Sequence, residues 1–199
     1  LVDRSFGIDI TATQPIIAER SMYFPSGSAR LFEGGHESPG VNATSTRWFL
    51  AEGATGPFFD CFILLSNPTG TVARTTLTYL LPTGETIAQS LDVPANGRST
   101  VNIEIVDARL ANTPVSTSVT SDVGIIVERS MYWTDNERWY EAHNSLGVAA
   151  PALRWGVADG RIGGARGHQT YILLANPNPT KAEVMVSFLQ GGVRGPAPT

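Results

Sequence analysis

The chain has 199 residues, 42% hydrophobic and 16% charged, with a formal net charge of −4. That balance belongs to a globular protein and excludes a disordered one. The 14 basic residues are scattered, so no basic face is offered to nucleic acid, and nothing approaches the roughly 20 apolar residues of a membrane span.

Leu1-Val2 shows neither an initiator Met nor a basic-then-apolar leader, as expected of a chain processed or cut from something longer. Strand signals then follow one another. Thr75 to Leu80 is rich in β-branched and aromatic residues. Arg98 to Ile105 and Val115 to Thr120 alternate polar and apolar, the period of a half-buried strand. Pro82-Thr83-Gly84 and Pro94-Ala95-Asn96-Gly97 supply turn chemistry between them. The one stretch that reads as helical is a turn from Val106 to Asn112, closed by Thr113-Pro114. Strand signals at this spacing predict an all-β sandwich, with Ile63, Leu65, Leu77, Tyr79, Val101, Ile103, Val119, Ile126 and Met131 in its core.

The sequence also repeats itself. Ile16-Ile17-Ala18-Glu19-Arg20-Ser21-Met22-Tyr23-Phe24 returns 109 residues later as Ile125-Ile126-Val127-Glu128-Arg129-Ser130-Met131-Tyr132-Trp133. Leu64-Leu65-Ser66-Asn67-Pro68 returns at the same offset as Leu173-Leu174-Ala175-Asn176-Pro177. His36, Ser38, Gly40 and Val41 return as His143, Ser145, Gly147 and Val148, and Arg47-Trp48 as Arg154-Trp155, both at an offset of 107. A period of about 109 is too long for a solenoid coil and right for a small domain. Tandem β-sandwich repeats are therefore expected, in a permuted frame. Residues 1–43 read as the C-terminal half of one repeat, 44–150 as a complete repeat, and 151–199 as the N-terminal half of a further one. Only 91–109 has no second copy. Residues 6–54 are expected to superpose on 115–162, and 60–90 on 169–199. The two halves are expected either to be parts of a longer array or to complete one another, within one chain or head-to-tail between chains, as open sandwich edges do.

Residues that carry chemistry are few. Glu19-Arg20 and Glu128-Arg129 lie inside apolar strands, where neighbours point to opposite faces, so one of each pair turns inward. A buried charge needs a partner, and Arg20 with Glu52 and Arg129 with Asp159 are the expected pairs. His143, Glu141 and Asp159 lack the spacing of a metal site, and a loop-ordering role is expected for His36 and His143. No G-x-S-x-G nucleophile elbow occurs. Cys61 is the one cysteine, with Thr170 as its counterpart, and reads as a small core residue. Trp48, Trp139, Tyr140 and Trp155 are the candidates for a glycan platform or an interdomain contact. Asn42-Ala43-Thr44 has the pattern of a glycosylation sequon.

The blocks RWFLAEGAT (47–55), FILLSNPTGTVARTTLTYLLPTGET (62–86), VPANGRSTVNI (93–103), VSTSVTSDVGIIVERSMYW (115–133) and EAHNSLGV (141–148) together resemble a family of secreted bacterial tandem repeats, immunoglobulin-like β-sandwich domains of uncharacterised function. The resemblance spans essentially the whole chain. It implies an extracellular or cell-surface protein whose partners are neighbouring repeats of the same array. It transfers no catalytic residue, cofactor or metal. The expected function is a non-enzymatic structural module of a stalk, layer or filament, with a carbohydrate-binding or adhesive module as the alternative.

Overall fold

The computed structural model describes residues 3–26, 32–135, 138–190 and 193–196. Among these, regular structure is all β apart from two short 3-10 turns: Ala108–Leu110 falls within the expected helical turn, whereas Ile103–Ile105 takes the end of the stretch expected to be strand, which stops at Asn102. The strands are β1 (Glu19–Phe24), β2 (Gly34–Pro39), β3 (Ser45–Leu50), β4 (Phe59–Asn67), β5 (Ala73–Leu80), β6 (Thr86–Val93), β7 (Gly97–Asn102), β8 (Ser116–Asp135), β9 (Arg138–Leu146), β10 (Ser187–Gln190) and β11 (Val193–Pro196).

β3 to β9 form one curled seven-stranded sheet organised by the 20-residue strand β8. Its first part, from Ser116, pairs with β3 on one side and β5 on the other, and β5 pairs with β6. Its second part, to Asp135, pairs with β4 and β9, and β4 pairs with β7. The change of partners falls at Ser121-Asp122-Val123-Gly124. There Asp122 Oδ1 accepts the Arg74 backbone N–H at 2.8 Å, which caps the start of β5. A Cβ on Gly124 would collide with Thr44, so only glycine lets the chain leading into β3 come this close. The inward parity of β8 survives the change: Thr117, Val119, Ile125, Val127, Arg129 and Met131 are all buried. Of these, Val119, Ile125, Val127 and Met131 share one core with Trp48, Ile63, Leu65, Leu77, Tyr79 and Val101. Ile126 does not. It is one residue out of phase and only partly buried, because Ile125-Ile126-Val127 is apolar on both faces and shows no period of two.

The β4–β5 turn is locked by Asn67, which is almost fully buried. Its Nδ2 donates to the carbonyls of Thr71 at 2.7 Å, Val93 at 3.2 Å and Pro94 at 3.1 Å. Its Oδ1 accepts the backbone N–H and the hydroxyl of Thr69. Asn67→Ala is expected to lower stability by about 2–4 kcal/mol, since three carbonyls lose a donor. Asn67→Asp, which turns an oxygen on the same carbonyls, is expected to cost at least as much. Chemical denaturation of both variants checks this; a loss in either near zero would contradict it.

β1 and β2 form a separate antiparallel hairpin that lies against β9. Glu19 pairs with Pro39 and Met22 with His36, as Glu128 pairs with Leu146 and Met131 with His143 in β8–β9. The two hairpins thus have the same register at counterpart positions. Beyond them the expected superposition is not seen. Residues 3–18 form no strand, and 151–186 hold a single isolated bridge, Gly163 to His168. Neither segment has a ladder partner. One local feature persists there: Asn176 Nδ2 donates to Thr180 O at 2.7 Å and its Oδ1 accepts Asn178 N–H, the same turn that Asn67 builds.

Candidate functional site

The inner end of the core holds a polar cluster on β8, β9 and the loop after β3. Arg129, on the inner face of β8, is 2% exposed. Its Nη1 donates to the Glu52 backbone carbonyl and its Nη2 to Glu52 Oε2, both at 2.7 Å. Nη2 also approaches His143 Nδ1 at 3.2 Å, which places the neutral ring's proton on Nε2, facing Glu52 Oε2 at 3.7 Å. Arg129 Nε is buried and makes no hydrogen bond. Cys61 lies on the same face, opposite Met131. Burial pushes its thiol up to about 12, so it is an inert core residue.

The pairing differs from the expected one. Glu52 meets Arg129 because the turn after β3 and the middle of β8 belong to one folded unit. Arg20 instead meets Glu128, with Nη2 to Oε2 at 3.2 Å, because Glu128 points outward where Arg129 points inward. Asp159 meets neither arginine; its Oδ1 accepts the N–H of Gly160, and the residue is exposed. Glu19 is exposed on β1. The described residues include no group of three His, Cys, Asp or Glu that could hold a metal, so His143, Glu141 and Asp159 are not brought together.

A second cluster covers the outer face of β8–β9. Tyr132 is 7% exposed although it points away from the core. Trp139 stacks on it, with centroids 4.1 Å apart and planes at 22°. Phe24, Phe62 and His36 meet its ring at steep angles, and its hydroxyl lies 3.4 Å from His36 Nε2. Trp139 donates its indole N–H to the Asp60 carboxylate. The outer sheet is therefore sealed by the β1–β2 hairpin. Sequence reasoning missed Tyr132 and Asp60, because an outward aromatic on a strand signals cover only once the covering element is known.

The four aromatic candidates separate. Trp48 is buried in the core, its indole N–H donating to Ile125 O at 2.9 Å. Trp139 and Tyr140 are about a third exposed on β9, and Trp155 stands well out in the segment after it. A shallow hollow on the hairpin is lined by Ser21, Tyr23, Phe32, Glu33, His36 and Glu37 with the backbone of Gly34 and Gly35.

Both repeated histidines are held neutral. Burial, then Arg20, then His143 push the His36 pKa down to about 4. Burial and Arg129 lower that of His143, against Glu52 and Glu141. In the unfolded chain both take up a proton near pH 6.5. For His36 the unfolded state binds more protons between about pH 6.5 and about pH 4, so its stabilisation is complete above about pH 6.5 and is lost as pH falls toward 4; the lowered His143 acts in the same direction. The melting temperature is expected to drop by several degrees from about pH 7 to about pH 5, and to drop less in His36→Gln. A profile flat over that range, or unchanged by the substitution, would contradict this.

No family model and no curated protein matches the chain. Among solved structures it is similar to the crystal structure of Thermotoga maritima 1070, at 12% identity and a TM-score of 0.49, over 54% of this chain and 96% of that one. It is also similar to the Anabaena sensory rhodopsin transducer, at 20% identity and a TM-score of 0.40, over 45% and 91%. At these values neither likeness bears on family or function.

Proposed function

We propose that the chain is a non-enzymatic structural module of an extracellular or cell-surface protein, a piece of an array of immunoglobulin-like β-sandwiches with a period of about 109 residues. The observation that carries this reading is the use made of the conspicuous polar residues. Arg129, Glu52 and His143 are spent on one another beneath the sheet, and Glu52 also gives its backbone carbonyl. A guanidinium committed in this way ties the loop after β3 to β8, which is a fold-holding role. The recurrence of whole sequence blocks and the shared register of the two hairpins support a repeated unit. No helix among the described residues is long and apolar enough to cross a membrane. Antibodies against the chain are expected to label intact cells of its source; label only after permeabilisation would overturn the reading.

A second reading, a carbohydrate-binding module, has one observation in its favour. Trp139 is braced flat against Tyr132 and Tyr140 follows it on β9, both partly exposed, as a sugar-stacking face requires. A glycan array with Trp139→Ala as control separates the two. Binding abolished by that substitution selects the adhesive module; no binding by either protein favours the structural one.

A further inference from the structure

Segment 152–189 repeats the part of the complete unit that runs from β3 through β5. Trp155 and Val157 stand for Trp48 and Leu50, and Ile172, Leu174 and Val184 for Ile63, Leu65 and Thr75. The residues of the complete unit are buried. Their counterparts are open to water: Trp155 is 62% exposed and Leu174 60%, against 4% for Trp48 and 1% for Leu65. Exposed apolar residues in the alternation of a buried strand mark an interaction surface.

The local contacts of that part are nonetheless in place. Gly163 and His168 form the bridge that Gly56 and Phe59 form. The Arg161 N–H donates to Thr170 Oγ1 at 2.8 Å, as the Ala54 N–H does to Cys61. Asn176 holds Thr180 and Asn178 as Asn67 holds Thr71 and Thr69. β10 repeats the end of β5, and it pairs with β11 in a hairpin as β5 does with β6. Among the described residues, 152–186 therefore carry the turns of a sandwich without its ladder.

In the complete unit that ladder comes from further along the same chain. β8 pairs with β3, β4 and β5, and β7 pairs with the other edge of β4. Val93, Val101 and Ile103, which precede β8, fill the core beneath. Residues 6–24 repeat the β8 stretch 115–133, but they bring no β7 and none of those three, because 91–109 has no second copy. Such a strand alone would leave the β4 counterpart with a bare edge and the core unfilled. The run that fits is one that carries β7 and β8 together. Charge agrees with this. Glu52 takes the inward Arg129 of β8, and its counterpart Asp159 is exposed, with Oδ1 accepting the Gly160 N–H.

Resting on the repeated-unit reading above, we infer that segment 152–189 is a strand acceptor, completed within the same chain by a following run like residues 91–133, with Asp159 pairing to the inward arginine of the incoming strand.

The test appends a copy of residues 91–150 after Thr199, which continues the repeat frame because Thr199 is the counterpart of Ser90. Exchange of amides 168–186 is expected to slow at least about 100-fold relative to the 199-residue chain, in a protein that light scattering finds monomeric. Val119→Asp with Val127→Asp in the appended copy is expected to leave those amides unprotected. Asp159→Ala is expected to leave the melting temperature of the 199-residue chain unchanged and to lower that of the added unit by several degrees. Exchange that does not slow would overturn the inference. So would slowing found only in dimers, slowing retained with the two aspartates, or an Asp159→Ala effect equal in both chains. These readouts use purified protein, so their failure is distinct from a failure to label intact cells, which would overturn the underlying reading.

Discussion

Glu52→Ala is expected to lower stability by about 3–5 kcal/mol, and Arg129→Met by clearly less, about 2 kcal/mol. The asymmetry follows from burial. The Arg129 side chain is 3% exposed and that of Glu52 35%. Removing the carboxylate leaves a guanidinium under the sheet with one carbonyl and a neutral imidazole. Removing the guanidinium leaves a carboxylate that water already reaches and fills the site with an apolar chain of similar length. Urea denaturation of the two variants checks both the sizes and their order. Equal, small losses would mean that the guanidinium is solvated and that the pairing does not hold the fold.

Trp48→Ala is expected to cost about 3–5 kcal/mol, whereas Trp139→Ala is expected to cost about 1 kcal/mol. Trp48 fills the core between β3 and β8, and its indole N–H satisfies the Ile125 carbonyl where β8 changes partners. Its loss opens a cavity and leaves that buried carbonyl without its donor. Trp139 lies on the surface side of Tyr132 and is 39% exposed, so water takes up most of what it leaves. Thermal melts of both variants decide this; a Trp48→Ala protein as stable as Trp139→Ala would contradict the burial on which it rests.

The strand framework was legible because its local signals are strong. The alternation in Arg98 to Asn102 and Val115 to Thr120, and the Pro-Thr-Gly turn whose Gly84 takes φ +88, are decided within a few residues, whereas Ile103 to Ile105, which continue the first alternation, turn into a 3-10 helix capped by Asn102. The core phase of β8 was legible at Val119 and Met131 and lost at Ile126, where three successive apolar residues remove the period. That β8 serves both parts of the sheet was not legible, since the alternation runs through residues 121–124 without a break in phase. The sequence likewise predicted that one residue of each Glu-Arg pair turns inward, which in β8 is Arg129, but it did not predict the partner found. Partner choice depends on which loop folds over the strand, and two acids at counterpart positions, Glu52 and Asp159, look alike in sequence. The covering of Tyr132 by the hairpin depends on packing between elements, for which no local signal exists.

Hydrogen–deuterium exchange on the 199-residue chain tests most directly whether one β unit carries the fold while its flanking segments stand open. In dilute solution, amides of β4, β5 and β8 are expected to be strongly protected, and those of residues 6–18 and 168–186 to exchange at nearly unprotected rates. Residues 168–186 protected in the dilute monomer as firmly as β4 and β5 would contradict this organisation.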